Sequence, residues 1–105
     1  MLDDLKKISE LDKGGILSSI ERLPEQIQDA WRAIQYLDLD GYESCQNIVV
    51  AGMGGSALGA RIVHSLELKN LRVPIEVVNG YYLPNYVNEK TLVILSSYSG
   101  GTEET

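Results

Sequence analysis

Three short segments rich in β-branched residues limit the folds available to this chain more than any other feature. They are Ile48–Ala51, Ile75–Val78 and Leu92–Leu95. Each is largely apolar and lacks the alternation of polar and apolar residues that marks a half-exposed strand. Strands that are covered by helices on both faces have this pattern. We therefore predict three buried strands.

Residues 56–68 link the first two strands and have the pattern of an amphipathic helix. Leu58, Ile62 and Leu66 repeat along one side, which we expect to be the buried face. His64, the only histidine, is on the other side, where we expect it to be solvated rather than catalytic. The order strand, helix, strand, connector, strand predicts an α/β fold with a parallel, doubly wound sheet flanked by helices. Three strands leave that sheet incomplete.

Residues 1–46 are predicted to form a helical segment ahead of the sheet. Apolar residues at helical spacing run up to a Gly-Gly pair, and a longer helix is expected over residues 24–37. Its expected buried stripe consists of Ile27, Ala30, Trp31, Ile34 and Leu37. A polar connector, residues 38–46, then leads to the first strand. We predict two domains, residues 1–46 and residues 47–105.

Composition excludes several classes of protein. The 105 residues are 44% hydrophobic and 23% charged, which is typical of a small globular domain. The net charge of −6 argues against a nucleic-acid binder, which needs a basic surface. A single cysteine, Cys45, leaves no disulfide framework, and no residue spacing is typical of a metal site. No segment is expected to cross a membrane or act as a signal peptide, so we expect a cytoplasmic protein.

Two loops that combine glycines with hydroxyl side chains follow the first and third strands. The first loop is residues 52–56, Gly-Met-Gly-Gly-Ser, and the second loop is residues 97–102, Ser-Tyr-Ser-Gly-Gly-Thr. Parallel α/β sheets bind ligands at the carboxyl ends of their strands, which is where both loops fall. Ser56 is predicted to cap the helix that follows, whose free amides favour an anion. Each loop alone also fits an ordinary surface turn.

The first loop also partly matches the fingerprint of a dinucleotide-binding fold. Gly52-x-Gly54-x-x-Ala57 has the required glycine spacing. That fold needs an acidic residue at the end of the second strand, but Asn79 stands there and Glu76 lies inside the strand. No Gly-Lys-Ser/Thr motif for a nucleoside triphosphate is present either. Both nucleotide readings are therefore disfavoured.

The second loop favours a sugar monophosphate. Ser97, Ser99 and Thr102 place three hydroxyls within six residues. Because the two loops are expected at one sheet edge, their hydroxyls can close on one phosphate from opposite sides. Neutral donors suit a monophosphate that must be released after each turnover. The predicted ligand is a sugar phosphate, with no metal and no cofactor.

At these loops the sequence resembles a known family. Gly-Met-Gly-Gly-Ser-Ala at 52–57 and Ser-Tyr-Ser-Gly-Gly-Thr-Glu-Glu-Thr at 97–105 are similar to the two phosphate loops of the sugar isomerase (SIS) domain. Within it, the chain resembles the N-terminal part of the bifunctional phosphoglucose/phosphomannose isomerases, with support from residues 23–26 and 82–86. The resemblance covers roughly residues 10–105. It departs at Gly101, where the family usually has asparagine.

The resemblance implies which residues bind the substrate phosphate. Those residues are Gly54, Gly55, Ser56, Ser97, Ser99, Gly100 and Thr102, the glycines through their amides. The implied reaction converts glucose 6-phosphate or mannose 6-phosphate to fructose 6-phosphate by proton transfer through an enediol. The family's catalytic glutamate and histidine are expected downstream of Thr105, so no catalytic residue is assigned here. We expect this fragment alone to be inactive and the full-length protein to be a homodimer.

One alternative from another class stays open, a non-catalytic SIS-type module that senses a sugar phosphate. Glu103 and Glu104 are expected in the first turn of a helix after the second loop, where they complement the helix dipole rather than act as bases. Four tyrosines near the loops are expected to pack rather than to line a sugar pocket. They are Tyr81, Tyr82, Tyr86 and Tyr98.

Overall fold

The computed structural model describes residues 2–105, and the chain divides into two compact units. One unit ends at Asp38 and the other begins at Leu39. The end of the connector is tied to the sheet, because the Gln46 N–H donates to the Lys90 carbonyl at 2.8 Å. The predicted domain border between residues 46 and 47 stays a prediction. Met1, the first residue of the predicted helical segment, lies outside the described residues.

The first unit consists of three helices with exposed apolar faces. They are α1 (Leu5–Leu11), α2 (Ile16–Glu21) and α3 (Leu23–Ile34). The predicted buried stripe of α3 is wrong for this structure, since Trp31 is 64% exposed and its four companions are exposed as well. Helices of 7, 6 and 12 residues are too few and too short to enclose an apolar face.

A carboxylate that the sequence analysis did not single out caps α2. Asp12 accepts hydrogen bonds from the Ile16 and Leu17 N–H groups, each at 2.8 Å. Gly15, with a φ of 67°, provides the left-handed turn between the carboxylate and the helix it caps. The first amides of a helix have no partner within it, so they need such an acceptor. The bonds from Leu17 and Ile16 lower the pKa of the Asp12 carboxyl.

The second unit contains the parallel sheet. Its strands are β1 (Asn47–Gly52), β2 (Ile75–Val78) and β3 (Thr91–Ser96), in the spatial order β2-β1-β3. Both pairs, β1 with β2 and β1 with β3, are parallel, so the predicted α/β fold is confirmed. The central strand carries the core, with Val49, Val50 and Ala51 buried. Full burial does not extend to β3, whose Leu95 is 64% exposed at the open edge of the sheet.

The helix α4 (Leu58–Glu67) crosses from β1 to β2, but it presents a different face from the predicted one. Leu58, Ile62 and Leu66 are exposed, whereas Ala57 just before the helix is 1% exposed and His64 is half-buried. The predicted buried face is therefore wrong, and His64 keeps part of its surface in contact with solvent. Small alanine side chains let the helix backbone come close to the strands, and the bulkier leucines are then left on the outside.

The connector from β2 to β3 spans residues 79–90 and contains no helix. It contains two turns, in which the Val87 N–H donates to the Pro84 carbonyl at 3.1 Å and the Thr91 N–H donates to the Asn88 carbonyl at 3.0 Å. The Tyr86 hydroxyl donates to the Glu76 carboxylate on β2, and this bond raises the pKa of the phenol. The connector thus carries the chain past β1 to the other side of the sheet.

Gly52, the last residue of β1, lies where β1 and β3 come closest. A Cβ at this position would stand 2.9 Å from the Ser96 carbonyl oxygen and 3.4 Å from the Ala57 nitrogen. Both neighbours are backbone atoms, which cannot rotate away as a flexible side chain would. Glycine is therefore required at the end of β1 for the close approach of β3 and the loop that follows β1.

Replacing Gly52 by alanine is expected to lower the free energy of unfolding by about 1–3 kcal/mol, because the added methyl group forces backbone apart. Gly59 in α4 is the matched control, since its added Cβ would meet nothing within 4 Å. Gly59→Ala is expected to raise stability by up to about 1 kcal/mol. Urea titrations of the two variants check both signs. A neutral Gly52→Ala would contradict the close approach.

The cap by Asp12 predicts that the stability of the N-terminus of α2 depends on pH. Because the folded carboxyl has a lowered pKa, its stabilisation of α2 is present above its ordinary pKa and is lost as the pH falls through the folded value. The amide chemical shifts of Ile16 and Leu17 should titrate together with the Asp12 carboxyl in an NMR pH series. Asp12→Ala should abolish that titration, whereas Glu10→Gln in α1 should leave it intact. If the two amides of Asp12→Ala still titrate as they do in the unmodified chain, the cap is contradicted.

Candidate functional site

The two glycine–hydroxyl loops lie side by side at the carboxyl edge of the sheet. The chain leaves β1 toward β2 on one side and returns to β3 on the other, so the ends of β1 and β3 form a topological switch point. Such a point opens a crevice in which parallel α/β sheets bind ligands. Gly52 and Ser96 are paired in register, and the first and second loops continue directly from them. The predicted adjacency of the two loops is confirmed.

The side chain of Ser56 is hydrogen-bonded to the second loop and does not cap α4. It lies in a 3-10 helix, Gly54–Ala57, and α4 is capped by Ala57 with no side-chain hydrogen bond, so the predicted N-cap is wrong. The Tyr98 N–H instead donates to the Ser56 Oγ at 3.2 Å. The extra 3-10 turn moves the start of α4 past Ser56, which frees the serine hydroxyl to face the other loop.

Two serine hydroxyls of the second loop converge on the hydroxyl oxygen of Thr102. The Ser97 Oγ donates to the Thr102 Oγ1 at 3.3 Å, and the Ser99 Oγ is 3.3 Å from the same oxygen. Backbone amides orient the two serines, since the Gly100 N–H donates to Ser97 at 3.1 Å and the Gly101 N–H to Ser99 at 3.2 Å. We call Ser97, Ser99 and Thr102 the hydroxyl cluster.

The hydroxyl cluster retains donor capacity for a ligand. Two of its three hydroxyl hydrogens are used in the bonds to and from Thr102, whichever way the second bond runs. One hydrogen therefore stays available for an acceptor outside the cluster. Ser56 adds a second, because its oxygen accepts the Tyr98 N–H and its own hydrogen takes no part in that bond. Both loops thus offer neutral donors at the same edge.

Backbone amides of the glycines differ in their availability. Gly54 and Gly55 open the 3-10 helix, so their N–H groups precede its first internal bond, from the Ser56 N–H to the Met53 carbonyl. Gly54 adopts a φ of 54°, which suits glycine. The Gly100 amide, predicted to assist phosphate binding, already donates to Ser97. It orients a hydroxyl of the cluster in this structure.

An open cleft of about 780 Å³ lies between the two loops. Its lining residues are Met53, Gly55, Ser56, Leu95, Ser96, Ser97 and Tyr98. None of these carries a charge, so an anion bound here would be held by neutral donors. The Tyr98 ring is fully exposed beside the cleft, which makes its predicted packing wrong. Tyr81, Tyr82 and Tyr86 are exposed too.

The acidic residues after the second loop do not form the expected helix. Glu103 and Glu104 lie in a turn that is closed by a bond of 3.3 Å from the Thr105 N–H to the Thr102 carbonyl. Within residues 2–105 no group of three or more histidine, cysteine or acidic side chains is placed to hold a metal ion. None of the helices described is long and apolar enough to cross a membrane.

Ser96 is the residue of this site that the sequence analysis missed. Its Oγ donates to the Ser56 carbonyl at 2.7 Å, across 40 residues of sequence. It falls between the predicted third strand, which ends at Leu95, and the second loop, which begins at Ser97, and in the structure it is the last residue of β3. The only available signal was its register opposite Gly52, which requires knowledge of the strand pairing.

The bond between the loops predicts a change in amide exchange. In Ser56→Ala the Tyr98 N–H loses its acceptor, and a net hydrogen-bond free energy near 1 kcal/mol corresponds to exchange that is about five- to tenfold faster. Hydrogen exchange followed by NMR measures this rate. Ser65→Ala, at an exposed hydroxyl on α4, is the control and should leave the Tyr98 rate unchanged. Equal rates in Ser56→Ala and the unmodified chain would contradict the contact.

Known proteins similar to this chain share one name. A protein from Caldicellulosiruptor bescii named bifunctional phosphoglucose/phosphomannose isomerase is 42% identical over 91 residues, which cover 86% of this chain and 27% of that protein. Proteins of the same name from Aquifex aeolicus and Thermoplasma volcanium are 44% identical over 69 residues and 45% identical over 58 residues. These matches cover 65% and 55% of this chain.

The similarity reaches only part of these relatives, because the chain spans between 18% and 27% of their length. No protein-family model matches the chain, and no solved structure matches it with significance. The resemblance to the bifunctional isomerases is thus supported at 42–45% identity over partial coverage. Assignment to the SIS domain stays a prediction.

Proposed function

We propose that this chain supplies the phosphate-binding part of a sugar-phosphate aldose–ketose isomerase. The observation that carries the proposal is that serines of both loops, Ser56 and Ser97, line one cleft at the switch point of the sheet, with Ser99 and Thr102 hydrogen-bonded behind Ser97. Four curated relatives named bifunctional phosphoglucose/phosphomannose isomerase support the reaction class. The proposed substrates are glucose 6-phosphate and mannose 6-phosphate, with fructose 6-phosphate as product.

The donors of the cleft fit a phosphate monoester. Such a group carries about −1.5 to −2 charges at neutral pH and presents three strong acceptor oxygens. In the proposed complex those oxygens accept from the Ser56 hydroxyl and the Gly55 amide, which line the cleft, and from the spare hydroxyl of the cluster and the Gly54 amide next to it. Hydrogen bonds to a charged group contribute about 1.5–3 kcal/mol each, so neutral donors suffice.

Proton transfer is assigned to residues other than those of the cleft. Aldose–ketose isomerisation needs a base that moves a proton between C1 and C2 of the sugar, within hydrogen-bond reach of both carbons. Among the described residues, those lining the cleft offer hydroxyls, a thioether and apolar groups, and neither a carboxylate nor an imidazole. The proposal therefore gives this chain the role of holding and orienting the phosphate end of the substrate.

Removing single hydroxyls should weaken substrate binding by the complete protein that contains this chain. Ser97→Ala and Thr102→Ala are each expected to raise the dissociation constant for fructose 6-phosphate about 10- to 100-fold, because each removes a donor or the partner that orients one. Isothermal titration calorimetry at constant ionic strength measures the change. Ser44→Ala, at the opposite edge of the sheet, is the matched control and should bind normally.

Two results would contradict the proposal in different ways. Unchanged affinity in both hydroxyl variants would remove the phosphate site from these loops. Tight binding of fructose 6-phosphate by an unmodified protein that does not interconvert it with glucose 6-phosphate or mannose 6-phosphate would replace the isomerase by a sugar-phosphate sensor. Turnover of either aldose phosphate, lost together with binding in the variants, would establish the isomerase.

A further inference from the structure

Ser96 connects the two loops without belonging to either. It ends β3 directly opposite Gly52, and its half-buried hydroxyl donates to the Ser56 carbonyl at 2.7 Å. The backbone of the same residue fills the space that a side chain at Gly52 would need. Ser96 thereby touches both the end of β1 and the 3-10 helix of the first loop.

Ser56 therefore accepts two hydrogen bonds from residues 96–98. Ser96 holds its carbonyl oxygen, and the Tyr98 N–H holds its hydroxyl oxygen at 3.2 Å. With both oxygens fixed, the remaining freedom of the side chain is the direction of the hydroxyl hydrogen. A donor that is locked in this way loses little entropy when an acceptor arrives.

We propose that Ser96 is a positioning residue that sets the place of Ser56 relative to the hydroxyl cluster, and so tunes affinity for the phosphate group. This inference rests on the proposed function of the site. Ser96 acts through Ser56, because its own hydrogen is spent on the Ser56 carbonyl. Without that bond, the longer and exposed contact from Tyr98 is the hydrogen bond that still ties Ser56 to the chain after β3.

A purely structural role would give a different pattern, and the chain offers a matched control for it. At the opposite end of β3, the Thr91 hydroxyl donates to the Asn47 Oδ1 at 2.9 Å. Both bonds are half-buried and join residues that are at least 40 positions apart in sequence. The Thr91 bond links β3 to β1, and the Ser96 bond links β3 to the loop that follows β1. Thr91→Val and Ser96→Ala therefore each remove such a bond, from opposite ends of one strand pair. Thr91→Val is the more severe structural change, because the Thr91 hydroxyl also accepts the Asn88 N–H at 3.1 Å.

The test measures fructose 6-phosphate binding and turnover by the complete protein for Ser96→Ala, Thr91→Val and Ser56→Ala, with melting temperatures for each. We expect Ser96→Ala to raise the dissociation constant and KM about three- to tenfold while kcat stays within twofold, which is the signature of lost ground-state and transition-state binding alike. Thr91→Val should lower the melting temperature at least as much as Ser96→Ala does and leave KM unchanged. In a Ser56→Ala background, Ser96→Ala should change affinity less than twofold, since both act on one donor.

Each other result overturns the inference. Equal affinity of Ser96→Ala and the unmodified protein, with the unmodified protein binding normally, removes the positioning role and leaves the proposed function standing. Equal weakening by Ser96→Ala and Thr91→Val, or full additivity with Ser56→Ala, reduces Ser96 to a stabilising contact. Failure of the unmodified protein to bind fructose 6-phosphate overturns the proposed function, and the positioning role falls with it.

Discussion

The close approach of β3 to the end of β1 is the contact on which the rest of the site depends. Gly52 has no side chain, and the Ser96 carbonyl occupies the space where a Cβ would stand. The two strands can therefore stay in register to their last residues, so that the loops leaving them start side by side. Every hydrogen bond between the loops follows from this pairing, because loops that leave distant strands could not meet.

The bonds between the loops use up some polar groups and leave others for a ligand. Amides of the second loop orient Ser97 and Ser99, and these serines in turn meet at Thr102. Two of the three hydroxyl hydrogens of the cluster are used in its internal hydrogen bonds, and the third is available for a ligand. A site of this kind is ordered before its ligand arrives, so binding need not fix several free rotors, which is where preorganised sites gain affinity.

Sequence patterns predicted the parts of the fold that depend on local chemistry. The three strands were predicted from runs of apolar and β-branched residues, and the adjacency of the loops followed from the geometry of parallel sheets. The buried side of α4 was mispredicted because hydrophobicity favours Leu58, Ile62 and Leu66, whereas packing against the sheet favours the small Ala57. The apolar pattern of a helix indicates which face is suited to burial, but it does not indicate which element of the protein packs against that face.

The roles of Ser56 and Ser96 depend on tertiary structure, which local rules do not contain. A serine after two glycines and before a helix fits an N-cap, yet one added 3-10 turn moved the cap to Ala57 and turned Ser56 toward the other loop. Ser96 falls between the predicted third strand and the second loop, and it becomes part of the site only through its pairing with Gly52.

The neutral lining of the cleft also bears on how the proposed isomerase separates binding of the phosphate from the chemical step. A phosphate held by lysine or arginine gains strong Coulomb attraction, and the same attraction slows the release of a product that keeps the phosphate. Isomerisation leaves the phosphate unchanged, so tighter binding of that group stabilises substrate, transition state and product equally and does not raise kcat. Hydroxyls and amides orient the substrate with moderate affinity. In the proposed isomerase, this cleft would hold the phosphate while charged residues elsewhere in the protein act at C1 and C2, where the proton moves.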